Sequence, residues 1–507
     1  MAKSSWQETP ESISQLGPWL EEHVSLRLLP ANLDLAMLAT ATFSDGSPVP
    51  TGPLVVLLKS TAVKEQVIYR AIREKLDSVS MARFVDSLAT WWVEDGAITK
   101  HRWALDSLEE WGTESSLAKV GEWLRGWIKK RKRSPALAAL HLLARRATDS
   151  TLNDLDDIAH GNASPAFAEL ARQEFAKAAA ARGLTTEQLA DRIVPTLGLD
   201  ATGARVFSAG KKQVRAILRP GGTIELRDDE GKILRSMPKG TISDANSPTP
   251  SEWLKEIKKR LKGGLAHQAN RLERAMIAGR SWPHADWSTL FLRHPILRTL
   301  SPQIVWQSKG AGKPILFRVA EDYTLADVDD REITLPVDAV VDIPHPISWT
   351  QVIRDRWRQV FIDYRIEQPF PQIEREAYAL ATSELADPSI MRFVGTAVDS
   401  RLLKGHLKRR GWLMGVPGDG GSVEFHYRFF EEGNVSAVLL HDPVFVGGDF
   451  SIGEMVPLAN IVFVPETIDR TGRTDLSKFR TIVPRDVSPT ILSETIRDVE
   501  RLRPISE

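Results

Sequence analysis

Three histidines, one acidic segment and two basic runs are the residues of this chain whose types and spacing could do chemistry. His294, His345 and His426 carry imidazoles, which titrate near neutral pH and serve as general bases or metal ligands. His294 and His345 each immediately precede a proline, and that position is pushed out of helical space, so both more simply mark helix boundaries. Between the strand-like runs ILFRV and ITLP lie Asp322, Asp327, Asp329, Asp330 and Glu332. A calcium loop needs oxygen ligands at alternate positions and a glycine at the sixth. Counted from Asp327, Arg331 takes the third ligand position and Glu332 the glycine position, so the segment reads as a polar turn.

The basic residues suggest contact with an anion rather than catalysis. From 251 to 280 there are eight Lys or Arg against three Glu. Lys255, Lys258, Lys259, Arg271 and Arg274 are the candidates for a nucleic-acid or other anionic partner, although a charge run on a helix is ordinarily a solvated face. They are expected on two helices. The first starts at Thr249-Pro250-Ser251-Glu252, an N-cap, a proline at the first helical position and a capping-box glutamate, and stops at Gly263-Gly264. A second run, Lys129 to Arg133, offers five consecutive cations. Its simpler reading is a helix C-terminus, where cations complement the dipole and Pro135 ends the helix.

The elements that must position these groups fall into two halves. From about 16 to 193 apolar residues recur at three and four, with helices expected near 80–92, 103–110, 115–130, 136–147, 164–182 and 186–194. In the first, Met81, Phe84, Val85, Leu88, Trp91 and Trp92 form one stripe; in the last, Thr185 and Gln188 form a capping box. Six tryptophans (91, 92, 103, 111, 123 and 127) suggest inter-helix packing ahead of a ligand groove. Consecutive helices without strands imply a HEAT-like or irregular array. At Gly198 the pattern changes to a three-stranded meander over 213–218, 223–226 and 232–237, followed by an exposed loop at 240–250. Further helices are expected at 281–292, carrying Trp282 and Trp287, at 348–363, with Tyr364 on its apolar stripe, and at 397–410. Strands follow at 423–429, 435–441 and 460–464, the first with Glu424, His426 and Arg428 on a wet face.

The fold class is therefore α+β: a helical array at 1–197, a β-meander at 198–245, a mixed core at 246–395 and a C-terminal α+β segment with an antiparallel sheet at 396–507. At 507 residues the chain exceeds a single core. Lys plus Arg equals Asp plus Glu at 66 each, so no global field attracts polyanions and any such binding is local. The chain has no cysteine, which excludes thiolate catalysis and cysteine-ligated metals and fits a reducing cytoplasm. No apolar run reaches the roughly 18 residues of a membrane span. Walker, dinucleotide and HExxH signatures are absent, the GDGG at 418–421 enters a strand rather than a helix, and 449–453 approaches a nucleophile elbow with Asp449 in place of its first glycine.

The order LERAMIAGRSW, HADW, LRHP, QIVW, LFRVAEDYTLADVDDREITLP, IPHPI and DYRIEQPFPQ resembles the bacterial family known as domain of unknown function 4132. The likeness extends from DRIVPTLGLD to NIVFVP, roughly half the chain. That family includes proteins labelled molybdate metabolism regulators and often carries a Trp-Gly-Arg module; the nearest string here is Trp111-Gly112-Thr113. The resemblance implies no agreed activity. Its Trp-Gly-Arg association draws attention to His426-Tyr427, residue types that ADP-ribosyltransferases also use, although neighbours on one strand face opposite ways. The expectation is a cytoplasmic, regulatory interaction protein with a protein partner, or nucleic acid through the basic helices, and without membrane contact, cofactor or metal. The alternative is an enzyme, possibly nucleotide- or ADP-ribose-related, with its site between the family core and the C-terminal sheet.

Overall fold

The computed structural model describes residues 8–160, 163–209, 212–242, 249–310, 313–382, 384–418, 421–430, 433–445, 453–465, 468 and 480–503. Residues 243–248 of the 240–250 loop, 419–420 of the GDGG turn and 449–452 of the elbow-like segment lie outside them. Two compact units divide the chain, Met1–Pro195 and Thr196–Glu507.

The first unit is helical: α1 (Ile13–His23), α2 (Thr51–Lys59), α3 (Val63–Arg73), α4 (Ser78–Glu94), α5 (Trp103–Asp106), α6 (Leu108–Trp111), α7 (Glu114–Lys129), α8 (Arg133–Arg146), α9 (Asp149–His160), α10 (Pro165–Ala181) and α11 (Thr186–Arg192). Apolar spacing decides which way each helix faces. In α4, Met81, Phe84, Val85, Leu88 and Trp92 are buried, and Asp77 caps the start by accepting the Ser80 N–H at 2.7 Å. Trp92 meets Trp127 edge-on at 5.6 Å and donates its indole N–H to the Ile98 carbonyl at 2.8 Å. Trp91 departs from the expected buried stripe: it is half-buried and stacks on His101 at 5.1 Å. Trp103, Trp111 and Trp123 are likewise part-buried against the common core. Short links join α7 to α8 and α9 to α10, so each pair folds back as a hairpin.

The second unit contains three antiparallel sheets. Strands β1 (Ala204–Ala209), β2 (Lys212–Arg219), β3 (Thr223–Asp228), β4 (Ile233–Leu234) and β5 (Thr241–Ile242) form the first, in the order β4-β3-β2-β1-β5. The expected meander forms one side of it, β4-β3-β2, and β1 and β5 extend it beyond β2. Next comes α12 (Pro250–Ala278), whose Thr249 and Glu252 form both halves of the capping box. It is one helix of 29 residues, which corrects the two expected. Gly263 and Gly264 do not end it; each costs about 1 kcal/mol within a helix. Burial of Trp253, Ile257 and Leu261 before them, and of Ala269, Leu272, Ala275 and Met276 after them, outweighs that cost. Gly279, at φ +67°, is the true stop.

The second sheet comprises β6 (Ser281–Pro283), β7 (Trp306–Lys309), β8 (Ile315–Val319), β9 (Leu325–Ala326) and β10 (Val340–Asp342), in the order β6-β10-β7-β8-β9. Trp282 is therefore in a strand and not in a helix; only α13 (His284–Ser288) and the wider turn 289–293 are helical. Its indole packs at 5.2 Å from Phe291 and 6.2 Å from Trp306, a cluster that β6 reaches only by pairing with β10. The expected ITLP strand does not form; a single bridge between Ala326 and Glu332 lies just before it. In α14 (Gln351–Asp363) Trp357 and Phe361 are buried, whereas Tyr364 is exposed and donates its hydroxyl to Asp330 at 2.8 Å.

The third sheet runs β11-β15-β14-β13-β12, built from β11 (Ala397–Asp399), β12 (Leu413–Met414), β13 (Ser422–Phe430), β14 (Val435–Phe445) and β15 (Met455–Pro465). Two helices, α15 (Ser400–Arg409) and α16 (Pro489–Glu500), contribute Leu403, Leu407, Ile491, Ile496 and Val499 to a cluster with sheet residues Ala437, Leu439 and Ile461. The expected wet face of β13 is thus covered at His426, only 2% exposed, and partly at Arg428, while Glu424 stays exposed. Phe425 and Tyr427 pack separately with Val438 and Val464. No helix among the described residues is long and apolar enough to cross a membrane.

Two stability tests follow from these contacts. Trp92→Ala should destabilise the first unit by about 3–5 kcal/mol, as for a buried aromatic, and cost more than Trp91→Ala; equal urea midpoints for the two would contradict the burial difference. Gly263→Ala and Gly264→Ala should each stabilise the chain by about 0.5–1 kcal/mol, because both glycines are exposed and an added Cβ would meet nothing within 4 Å. A loss on either substitution, read by thermal denaturation, would mean the helix is broken there.

Candidate functional site

The densest gathering of ionisable side chains in the second unit surrounds α16. Ser488-Pro489 starts this helix with proline at its first position, and Ile491, Leu492, Ile496 and Val499 supply apolar contacts. Ser493, Glu494, Thr495, Arg497 and Asp498 are buried as well, so the helix is enclosed on its polar side too. Such charges must be paired to be tolerated.

Glu494 receives two parallel hydrogen bonds from Arg375, Nε to Oε1 and Nη2 to Oε2, each 2.6 Å. The remaining guanidinium nitrogen, Nη1, donates to Glu273 at 2.7 Å. His345 Nε2 lies 3.1 Å from Glu494 Oε1, while its Nδ1 accepts the Ile347 N–H at 3.1 Å. With Nδ1 acting as acceptor, the neutral ring carries its proton on Nε2 and donates it to Glu494. Burial alone would raise the Glu494 carboxyl, but the hydrogen bonds from Arg375 and His345 and the Arg375 charge outweigh it and hold the group well below the usual carboxylate range. Burial also lowers His345, against the opposing pull of Glu494. A carboxylate held this firmly is a weak general base, and His345 has both ring nitrogens engaged. The arrangement is suited to locking segments together.

Asp498 extends the network to the third sheet. Its Oδ2 accepts the Trp412 indole N–H at 2.8 Å and Arg428 Nη1 at 2.7 Å. Arg497 reaches Glu376 through Nε at 3.2 Å.

The three candidate histidines are held by different partners. His294 Nδ1 accepts the N–H groups of Ile296 at 3.2 Å and Leu297 at 3.3 Å. The same tripeptide, His-Pro-Ile, makes the matching turn at His345, so both histidines cap a chain reversal. His426 Nδ1 is 2.9 Å from His441 Nε2, and His441 Nδ1 is 2.7 Å from the Asp442 carbonyl oxygen. That carbonyl can only accept, so His441 carries its proton on Nδ1, and His426 must donate from its own Nδ1. His426 Nε2 keeps its lone pair, buried and without a hydrogen-bond partner. Burial, followed by the His441 and Lys404 charges, pushes His426 down to about 3.

The acidic segment closes on itself. Asp327 Oδ1 accepts the N–H groups of Asp329 at 2.8 Å and Arg331 at 3.0 Å, Asp322 binds Thr324, and Asp330 pairs with Arg318 at 3.0 Å. Among the described residues no group of three His, Asp or Glu is placed to hold a metal ion.

Of the basic candidates, Lys255, Lys258 and Lys259, together with Lys262, lie on one solvent-facing stripe of α12, at spacings of three, four and seven. Arg271 is roughly 160° round the helix from Lys255, part-buried and bonded to Gln268 at 2.6 Å. Arg274 is exposed, just over five turns from the stripe's start. The sequence reading missed Arg375, Glu494, Arg497 and Asp498. The apolar spacing at 491, 492, 496 and 499 signals a helix at α16, but it would place these charges in solvent.

The buried imidazoles set the response to acid. His345, His426 and His441 all have pKa values below the ordinary 6.5, so the unfolded chain binds more protons as pH falls below that value. Their stabilisation is complete above pH 6.5 and drains away on acidification, for His426 down to about 3. Between pH 6.5 and about 3 His426 should contribute a slope approaching about 1.4 kcal/mol per pH unit, His345 and His441 act in the same direction, and Glu494 adds its own loss below 4.5. Urea midpoints that hold constant from pH 7 to 5 would contradict the neutral, buried assignments.

Comparison with known proteins bears on the core of this unit. A curated protein from Escherichia coli (strain K12), the Uncharacterized protein YehI, is 30% identical over 342 residues, which is 66% of this chain and 28% of that protein. This chain spans less than a third of that relative's length. No solved structure matches. Neither description names molybdate, so that label is not carried over. The family model described as Domain of unknown function (DUF4132) matches residues 231–412, a segment that contains Glu273, His345 and Arg375 but ends before Glu494.

Proposed function

We propose that this chain is a cytoplasmic interaction protein that holds an anionic partner, an acidic protein surface or nucleic acid, through the lysine stripe of α12. The stripe carries this reading. Lys255, Lys258 and Lys262 are exposed and form no ion pair among the described residues, while Trp253, Ile257 and Leu261 anchor the other side of the helix in the core. Fixed, unpaired like charges within two helical turns raise the local potential and favour a complementary surface. A regulatory role would follow from such binding. The enzyme alternative is favoured by one observation, the unshared lone pair on buried His426 Nε2. His426 and Tyr427 pack on different sides of β13, which weighs against a shared ADP-ribose grip.

Lys255→Glu, Lys258→Glu and Lys262→Glu together should abolish capture of partners retained by the wild-type chain at low salt, without shifting its melting temperature. For a nucleic-acid partner the log–log salt slope should flatten by about three. Partners that survive the reversal, with no wild-type affinity for single- or double-stranded nucleic acid, would refute the reading.

A further inference from the structure

We propose that the groove along α8 in the first unit docks an acidic, extended peptide segment of a partner protein. This inference uses different residues from the α12 reading and does not rest on it.

The groove is a cavity of about 500 Å³ between α8 and the segment that enters α5. On α8 its lining runs from Arg133 through Leu137 and His141 to Arg145, all on one face. Those thirteen residues of helix span roughly 18 Å, the reach of five or six extended peptide residues. Arg102 stands on the facing wall.

Charge is unevenly distributed along this length. At the far end Arg145 is already shared between Glu109 at 2.6 Å and Asp106 at 3.0 Å, and Arg102 also binds Asp106 at 3.0 Å. At the near end, Lys129 to Arg133 are all exposed and have no ion pair among the described residues. A helix C-terminus accounts for Lys129 and Lys130, which close α7. It does not account for Lys132 and Arg133. These two occupy the N-cap and first position of α8, where the helix dipole repels cations, and no side chain caps the helix there. Arg131 between them adopts φ +56°, a left-handed conformation that ordinarily favours glycine. Three local preferences are thus set aside at one junction, and an anion placed there would relieve the charge conflict.

The form of that anion follows from the rest of the lining. Leu137 and Ala138 give the middle of the groove an apolar floor suited to a small side chain. Asp106 on the wall would repel a continuous phosphodiester backbone, and no Phe, Tyr or Trp lines the groove to form a stacking platform for successive bases. The first unit carries 23 Lys and Arg against 25 Asp and Glu over residues 1–195, so the cationic spot is local and calls for a local acidic match. A peptide with carboxylates at one end, followed by a small apolar residue, fits best.

The test is fluorescence anisotropy with a fluorescein-labelled peptide of four glutamates followed by leucine and alanine. Its glutamine counterpart and a single-stranded oligonucleotide of equal charge serve as controls. Saturable one-to-one binding of the acidic peptide is expected, weakened about tenfold in the Lys132→Glu, Arg133→Glu double variant. Acidic residues at a helix N-terminus favour the dipole, so this variant should fold at least as stably as the wild type. The Lys255→Glu, Lys258→Glu, Lys262→Glu variant should bind this peptide normally, which separates the two surfaces. Failure of the acidic peptide to bind, equal binding of the glutamine peptide, tighter binding of the oligonucleotide, or undiminished binding by the folded α8 variant would each overturn the proposal.

Discussion

The second unit depends on one buried ion pair, Glu494 with Arg375. Both side chains are about 1% exposed, and 119 residues of chain separate them. Removing a buried charge from water costs several kcal/mol per ion, so a pair of this kind holds only where geometry and further hydrogen bonds recover the loss. Here the guanidinium and carboxylate meet fork to fork, His345 donates to the same carboxylate, and Glu273 takes the spare guanidinium nitrogen. Such a pair adds little net stability over an apolar replacement, but deleting either partner strands a charge at a cost of about 3–5 kcal/mol. Its effect is to permit one arrangement of α12, the His345 turn, the Arg375 loop and α16, and to penalise others.

That constraint reaches beyond the segment matched by the family model. The family match ends at residue 412 and includes Arg375 and His345, whereas their carboxylate comes from Glu494 on α16. Trp412, at the limit of the match, donates to Asp498 on the same helix. The matched segment therefore contains donors whose acceptors lie beyond it. Arg428 likewise ties β13 to Asp498, so the third sheet and the matched core converge on α16.

Features decided within one or two turns of chain were legible in the sequence. The capping boxes at Thr185 and Thr249 form as the residue types require, and the His-Pro pairs at 294 and 345 mark chain reversals because proline restricts the residue before it. The apolar row of α4 was also visible, except that its edge at Trp91 is only half-buried. What was hidden depends on distant partners. Gly263 and Gly264 look like a helix stop until the packing on both sides of them is known. His426 and Arg428 look like part of a wet strand face until α15 and α16 cover them, while Glu424 stays exposed as expected. The charges of α16 look solvated because no local pattern indicates that Arg375 and His345 will come to meet Glu494.

The two classes of ionisable group lead to different functional arguments. Around α16 the central carboxylates are spent on arginine, histidine and tryptophan donors, so their chemistry is largely consumed by the fold. On α12 the exposed lysines cost the fold nothing, because their helix is anchored from its opposite side and the residues are free to differ. The junction of α7 and α8 is a third case. Cations at a helix start and a left-handed arginine act against local stability, and no contact described within the first unit compensates for them. A sequence shaped by folding alone would place an acid or a glycine there. The dipole at the end of α7 accounts for Lys129 and Lys130, whereas Arg131, Lys132 and Arg133 run against the local preferences of the unit.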